Sequence, residues 1–364
     1  MNKIKVVSLF SGGGGLDCGF IKSGFEIIWA IDNEKNAVAT YKANIGNHII
    51  CKDINDVSVS SLPECDVVIG GPPCQSFSLA GNRKSDDERG RLVWKYLEII
   101  EHLQPKAFLF ENVMGLLSAK DGNGEKVFTL LTKAFENLGY TVCAKTINAA
   151  DYGVPQRRKR VIIVGLKDGK VFDFPKPTHG EFSVSGKKIV SVADALDDLP
   201  NAINDENGFS SYSKPAVTEY QNEMRSDSPG VTEHFIPTTS KLDKYIISHV
   251  KPGGNYMDIP SDVASERIQR LQRDGGHTTC YGRLKGDSPS YTINTYFNRP
   301  NVGCNIHYKE SRLITVREAL RLQSFPDTYI LVSTNKQGRN LIVGNAVPPK
   351  VAFALAESLK GQLI

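Results

Sequence analysis

The 364-residue chain has no stretch of about 18 apolar residues, so the sequence offers no membrane-spanning helix. Its start, MNKIKVVSLFSGG, is basic, but glycines break the apolar run too early for a secretory leader. There is no C-x-x-C pair and no His/Cys cluster at zinc spacing. The seven cysteines are scattered and odd in number, which argues against a structural metal and against a full disulfide framework. A reduced, cytoplasmic protein without metal is therefore expected. No G-K-[ST] follows a glycine run, which excludes a P-loop. Internal repeats and low-complexity tails are absent too. Strong charge of either sign is also missing: the formal net charge is +4, compatible with a polyanion partner but not diagnostic of one.

What is present is an alternation of two periodicities over the first half. KIKVVSLF, FEIIWAID, HIICKDI, CDVVIGG, AFLFENV, TVCAKTINAA and RVIIVGL read as strands. Between them, LDCGFIKSG, NEKNAVATYKANI, RLVWKYLEIIEHLQP and EKVFTLLTKAFENLGY have helical spacing. This order predicts a parallel, doubly wound α/β sheet, Rossmann-like in class. From about residue 180 to 310 the texture changes to Ser, Asn, Pro and Gly with few long periodic runs. A second, smaller domain of irregular and β structure is expected there. Helical order returns at TVREALRLQSFP and PPKVAFALAESLKGQ.

The first strand runs into SGGGGLDCGF. A glycine-rich turn between strand and helix lets backbone approach a ligand and aims helix amides at it. Asp32 follows about 20 residues later, at the end of the second strand, where a carboxylate can hold two ribose hydroxyls. Asp53 ends the third strand, placed to accept from an adenine amine. A nucleoside-bearing cofactor is implied, with NAD and S-adenosylmethionine both open at this point. Either carboxylate can equally serve as a helix cap.

The stretch GGPPCQSFS puts a cysteine between a rigid Pro-Pro and a polar turn. A lone cysteine is more often a small buried hydrophobe than a catalyst. Five further blocks stand in a fixed order around it: SLFSGGGGL, ENV, QRRKRVIIVG, TVREALRLQSFPDTY and GNAVPPKVA. Together the six resemble the motifs of the DNA cytosine-5 methyltransferases, of the prokaryotic restriction–modification type. The resemblance covers nearly the whole chain except about 180–275.

That resemblance implies an S-adenosylmethionine-dependent fold and a specific chemistry. Carbon 5 of cytosine is too poor a nucleophile to attack a sulfonium methyl, and a thiolate added at carbon 6 activates it. Cys74 is the implied nucleophile, positioned by Pro72 and Pro73, with the Pro72 carbonyl also accepting from the exocyclic amine. Glu111 is implied at ring nitrogen 3, its carboxyl favoured in the protonated form by an apolar setting. Arg158 and Arg160 match the family's two arginines, which stabilise developing charge. Phe10, Ser11, Gly12, Gly14, Leu16, Asp32, Asp53, Ile54, Pro72, Asn345 and Val347 are expected around the cofactor. Gln75, Ser78, Arg83 and Lys84 are expected on DNA, the last two in a mobile loop over a flipped base. In the middle region, Arg283, Thr292, Tyr296 and Arg299 are expected near DNA, and Arg317 as an internal brace. The implied domains are 1–178 with 340–364 for cofactor and catalysis, and 179–339 for target recognition and hinge. A monomer acting on double-stranded DNA is the leading expectation. A tRNA cytosine-5 methyltransferase on the same fold and a catalytically silent relative are the alternatives. One departure stands out: Ser8 occupies the position before Leu-Phe where the family carries an acid, so that acid's contact is in question. A second is Asn33, where many members carry Trp to stack on adenine, and Ile54 is expected to take that role.

Overall fold

The computed structural model describes residues 3–73, 88–333 and 335–364. It divides into two compact units, Met1–Asn148 with Lys159–Lys176 and Val351–Ile364, and Ala149–Arg158 with Pro177–Lys350.

The first unit is built on seven strands: β1 (Lys5–Leu9), β2 (Glu26–Asp32), β3 (Ile49–Cys51), β4 (Val67–Gly70), β5 (Ala107–Asn112), β6 (Thr141–Asn148) and β7 (Lys159–Leu166). Helices α1 (Gly15–Lys22), α2 (Lys35–Asn44), α3 (Glu88–Leu103) and α4 (Val127–Asn137) connect them. The inner strands are buried along their whole length, as strands covered on both faces must be. The sheet order is β3-β2-β1-β4-β5-β7-β6, so the chain reverses direction across the sheet between β1 and β4.

The sheet is not wholly parallel, as the alternation predicted. β7 runs antiparallel to both β5 and β6. The connection Ala149–Arg158 holds only a short 3-10 turn, and without a crossover helix the chain has to return beside itself in the opposite sense.

The core beneath β4 and β5 is aromatic. Tyr96, Phe108, Phe110 and Phe135 are completely buried, and Phe108 packs on Phe135 at 4.1 Å between centroids. Each such side chain stabilises the fold by roughly 1.5–3 kcal/mol. Gly165 on β7 leaves room for that stack, since a Cβ there would lie 2.1 Å from the Phe108 ring. The C-terminal helix Pro349–Leu363 crosses α1 at Gly19, where a Cβ would fall 2.4 Å from that of Ala352.

The second unit is more helical than its composition indicated. It holds helices Val192–Leu196, Glu219–Arg225, Lys241–Ser248, Glu266–Asp274, Val316–Leu322 and Lys336–Asn345, with two small two-stranded ribbons. Many residues that read as loop formers are helix caps. Ser191, Thr218 and Thr315 each close a reciprocal capping box with Asp194, Gln221 and Glu318.

Candidate active site

Strand register assembles the site. Leu9 pairs with Ile31 and with Gly70, and Gly70 pairs with Phe110. These four residues form one row near the carboxyl edge of the sheet. The residues just beyond them are Phe10, Asp32, Gly71 and Glu111. The glycine turn, the acid closing β2, the Pro-Pro segment and the glutamate therefore emerge side by side. They do so where the strand order reverses, the usual ligand position of an open α/β sheet.

The glycine turn is held in left-handed backbone at Phe10 (φ 54°), Gly12 (φ 55°) and Gly14 (φ 86°). Asp32 supports it: one carboxylate oxygen accepts from the Gly12 amide at 2.8 Å and the other from Glu34 at 2.9 Å. Burial raises the Asp32 carboxyl above its ordinary value, against the pull of those amides. A side chain on Gly12 would meet no atom within 4 Å, so the turn presents an open face beside Asp32. Ser11 is buried and Leu16 is 7% exposed. Asp53 accepts from Asn55 at 2.9 Å and so caps a 3-10 turn. Ile54, expected against the adenine, is 4% exposed and packs in the sheet core, leaving little of it to face a ligand.

Ser8 does not leave its position without a carboxylate. Its hydroxyl donates to Asp17 at 3.0 Å, on the first turn of α1.

Glu111, the penultimate residue of the fully buried β5, is 8% exposed. Arg160, on the adjacent β7, sets its Nε 2.8 Å from the Glu111 carboxylate. Gly71 leaves space for that carboxylate, since a Cβ would approach Glu111 Oε2 to 2.6 Å. The next residue in β5, Asn112, donates its amide to the Pro72 carbonyl at 2.9 Å. The backbone entering the Pro-Pro segment is thus fixed from the same strand end that carries Glu111. Cys74, Gln75, Ser78, Arg83 and Lys84, and with them the loop expected over the base, lie outside the described residues.

Three cysteines elsewhere are poor nucleophiles. Burial pushes the thiols of Cys18, Cys65 and Cys304 up to about 12, far from the thiolate form.

Arg158 is held by backbone carbonyls. It belongs to the second unit, is 1% exposed, and donates to the carbonyls of Ile293 at 2.9 Å and Gly344 at 2.8 Å. Gln156 reinforces the same hub, accepting from the Ile293 amide and donating to the Leu322 carbonyl, both at 3.0 Å. Gly344 is required there, because a Cβ would meet the Thr295 backbone nitrogen at 2.5 Å. Asn345 ends its helix exposed and Val347 is buried, both in this second unit.

Arg283, expected near DNA, is held inside the second unit. It is 5% exposed and donates to the carbonyls of His307, Glu310 and Ile247 and to the Ser311 hydroxyl. Arg317 is fully buried, bracing the Thr232 and Tyr329 carbonyls at 2.9 and 2.8 Å. Thr292 is exposed and donates to the Arg157 carbonyl. Tyr296 is exposed, with Arg299 stacked 4.9 Å from its ring centroid. Beside them lies a cleft of about 230 Å³ lined by Arg157, Arg283, Lys285 and Tyr291 among others. Sequence reasoning missed Arg157 and Lys285. Both are exposed cations, and only the cleft they share with Tyr291 marks them.

No described helix is long and apolar enough to cross a membrane, and no cluster of three metal-ligating side chains occurs among the described residues.

The sheet and the row of residues at its carboxyl edge define a Rossmann-like methyltransferase. The family model for C-5 cytosine-specific DNA methylases matches residues 4–361, and the chain belongs to that family. It is a DNA cytosine-5 methyltransferase, and the tRNA alternative is not favoured. Among its relatives, the Type II methyltransferase M.AgeI of Thalassovita gelatinovora is 34% identical over 98% of this chain and 99% of its own. The Type II methyltransferase M.NgoFVII of Neisseria gonorrhoeae is 36% identical over 98% of this chain and 87% of its own. In fold, the chain is similar to a DNA modification methyltransferase encoded within an E. coli prophage, with a TM-score of 0.77 at 24% identity over 99% of each chain.

Proposed function

We propose that the chain methylates one cytosine of a specific duplex sequence with S-adenosylmethionine, and that it protects DNA within a Type II restriction–modification system. The observation that carries the reading is the single row of strand ends that sets the glycine turn, Asp32, Pro72 and Glu111 side by side. The curated relatives, Type II methyltransferases over nearly their full length, support the biological setting. In this reading the first unit holds cofactor and reacting base, the second reads sequence, and the protein works as a cytoplasmic monomer.

The cofactor fits the residues present. The turn is open at Gly12, its backbone is fixed by Asp32, and Asp32 retains lone pairs for the ribose hydroxyls. When bound, S-adenosylmethionine supplies an electrophilic methyl group. The chain's own residues do the rest. Cys74 thiolate adds to carbon 6 of a base extruded from the helix, and the ring's electrons shift to make carbon 5 nucleophilic. Glu111 holds a proton at ring nitrogen 3, relieving the charge that builds as the thiolate adds. Arg160 fixes Glu111 and reaches ring oxygen 2. Asn112 orients the Pro72 carbonyl to accept from the exocyclic amine. Once carbon 5 carries the methyl group, its proton leaves to solvent, the carbon 5–carbon 6 double bond re-forms, and the carbon 6–sulfur bond breaks to return the Cys74 thiolate.

Arg157, Lys285, Tyr291, Thr292, Tyr296 and Arg299 form the DNA-facing surface of the second unit. Cations and exposed aromatics side by side suit phosphates and bases. Incubating the protein with tritiated S-adenosylmethionine and either unmethylated genomic DNA or total RNA tests the whole reading. Label in DNA as 5-methylcytosine at one recurring sequence is the expected result. Label only in RNA, or none, would overturn it.

A further inference from the structure

The turn Phe10–Gly14 is strained, with one non-glycine and two glycine residues in left-handed backbone. Such a conformation persists only where its surroundings hold it. A chain of side chains runs beneath it. Ser11, inside the turn, donates to Ser8 Oγ at 2.9 Å, and Ser8 donates to Asp17 Oδ2 at 3.0 Å. The other Asp17 oxygen accepts from the Tyr41 hydroxyl on α2, also at 3.0 Å. Tyr41 in turn meets His48 Nε2 at 2.9 Å. A phenol has one proton, so with Tyr41 donating to Asp17, His48 Nε2 is the donor of the last bond.

Asp17 is the only ion in this chain of contacts. It is completely buried, and its two oxygens accept from the hydroxyls of Ser8 and Tyr41. Its charge is met by two hydroxyls and by its place in the first turn of α1, where the helix dipole favours an anion. A carboxylate held this way is costly for stability, and the geometry indicates what it does: it links the turn, through Ser8, to α1 and α2.

We propose that Asp17 is a positioning residue for the cofactor turn, acting through Ser8 on Ser11, with Tyr41 and His48 fixing its far side. The proposal rests on the reading of residues 10–14 as the cofactor turn. Because Ser8 and Asp17 face each other directly, their side chains are interchangeable in principle: a carboxylate at 8 and a hydroxyl at 17 would make the same bond from the opposite side.

The test is that exchange. Binding of S-adenosylhomocysteine is measured by calorimetry for the full chain, Asp17→Ser, Ser8→Asp and the double variant Ser8→Asp/Asp17→Ser. Each single variant is expected to bind about tenfold more weakly, the size of one hydrogen bond to a charged group. The double variant is expected to recover to within about threefold, with the KM for DNA unchanged throughout. Should a single variant fail to fold, Tyr41→Phe removes only one of the two hydroxyl donors and is expected to weaken binding severalfold. Folded single variants with unaltered affinity would overturn the proposal, and so would a double variant no better than the worse single. Asp32→Ala separates this from the underlying reading. If Asp32→Ala leaves binding intact, the turn is not the cofactor site at all. If it weakens binding while Asp17→Ser does not, only the positioning role fails.

Discussion

Arg158 and Arg160 stand two residues apart in one sequence block, and the structure assigns them to different units. Arg160, on β7, sits beside Glu111 at the reactive edge of the sheet. Arg158 is sealed in the second unit and ties Ile293 to the end of the helix Lys336–Asn345. The contrast extends beyond this pair. In the first unit, the buried acids Asp17 and Glu111 and the half-buried Asp32 lie at strand ends or beneath the glycine turn. In the second, arginines are cross-links: Arg321 bridges Asp198 at 2.9 Å and Asp327 at 2.7 Å, and Arg317 and Arg283 gather carbonyls. An arginine in a DNA-modifying enzyme is therefore no sign of a DNA contact until its burial is known.

The sharpest test of the reactive edge is Cys74→Ser. Methyl transfer should fall by on the order of 10³-fold or more, because a neutral hydroxyl does not add to carbon 6. The melting temperature and S-adenosylhomocysteine affinity should stay near those of the parent. Retained turnover would remove the thiolate from the mechanism.

The two arginines should then part by phenotype. Arg160→Ala is expected to lower turnover by about 10²-fold, as for removal of one preorganised charge donor, with little change in thermal stability. Arg158→Ala leaves two buried carbonyls unpaired and is expected to lower stability by roughly 2–4 kcal/mol. Thermal melts alongside single-turnover rates decide it. Equal kinetic defects with equal stabilities would break the comparison.

These differences explain what the sequence made legible. The seven strands and their helices were readable because burial on both faces of a sheet writes long β-branched runs. Glu111, Asp32 and the glycine turn were readable because each follows such a run directly. The antiparallel β7 was not, since nothing in its own residues records the direction of its neighbours. Register was also hidden, and with it the Glu111–Arg160 pair. In the second unit the helix at TVREALRLQSFP was legible, but Glu219–Arg225, Lys241–Ser248 and Glu266–Asp274 were not, because they are short and their caps, Thr218, Ser240 and Ser265, mark loops as well as helix starts. The burial of Arg283 was hidden as well, since residue type alone carries no information on burial.

The first unit holds a further contrast, between stability and function. Burial pushes the Asp17 carboxyl up to about 6 from an ordinary 3.8, against the hydroxyls of Ser8 and Tyr41. A carboxyl raised in the fold lends stability fully below about pH 4 and loses it as pH rises through about 6. Above that, the ionised group opposes folding by on the order of 2–3 kcal/mol. Asp17→Asn should therefore raise the melting temperature at pH 8 and much less at pH 4.5, while weakening cofactor binding. Burial raises Cys18 and Tyr41 as well, keeping both neutral in this range, and holds His48 below its ordinary value. A His48→Gln background separates that proton from the one on Asp17. A pH-independent difference would refute the burial argument.

The smallest expected effect sharpens the comparison within the second unit. Arg157 and Arg283 line the same cleft, yet one is exposed and the other 5% exposed. The Arg157 side chain makes no hydrogen bond or ion pair among the described residues, so its charge is available to a phosphate. Arg283 holds three carbonyls and a hydroxyl, none of them charged, so its positive charge is uncompensated but its donors are engaged. Arg157→Ala should leave the melting temperature unchanged, weaken duplex binding modestly at all sequences, and reduce the slope of log K against log salt by about 1. Arg283→Ala should destabilise the protein first and alter DNA binding only as a consequence. A salt titration of duplex binding for the two variants, each checked by thermal melt, separates a surface cation from a buried one. If Arg283→Ala keeps its stability while losing base discrimination, its side chain leaves the core to read DNA, and burial in the free chain is not its working state.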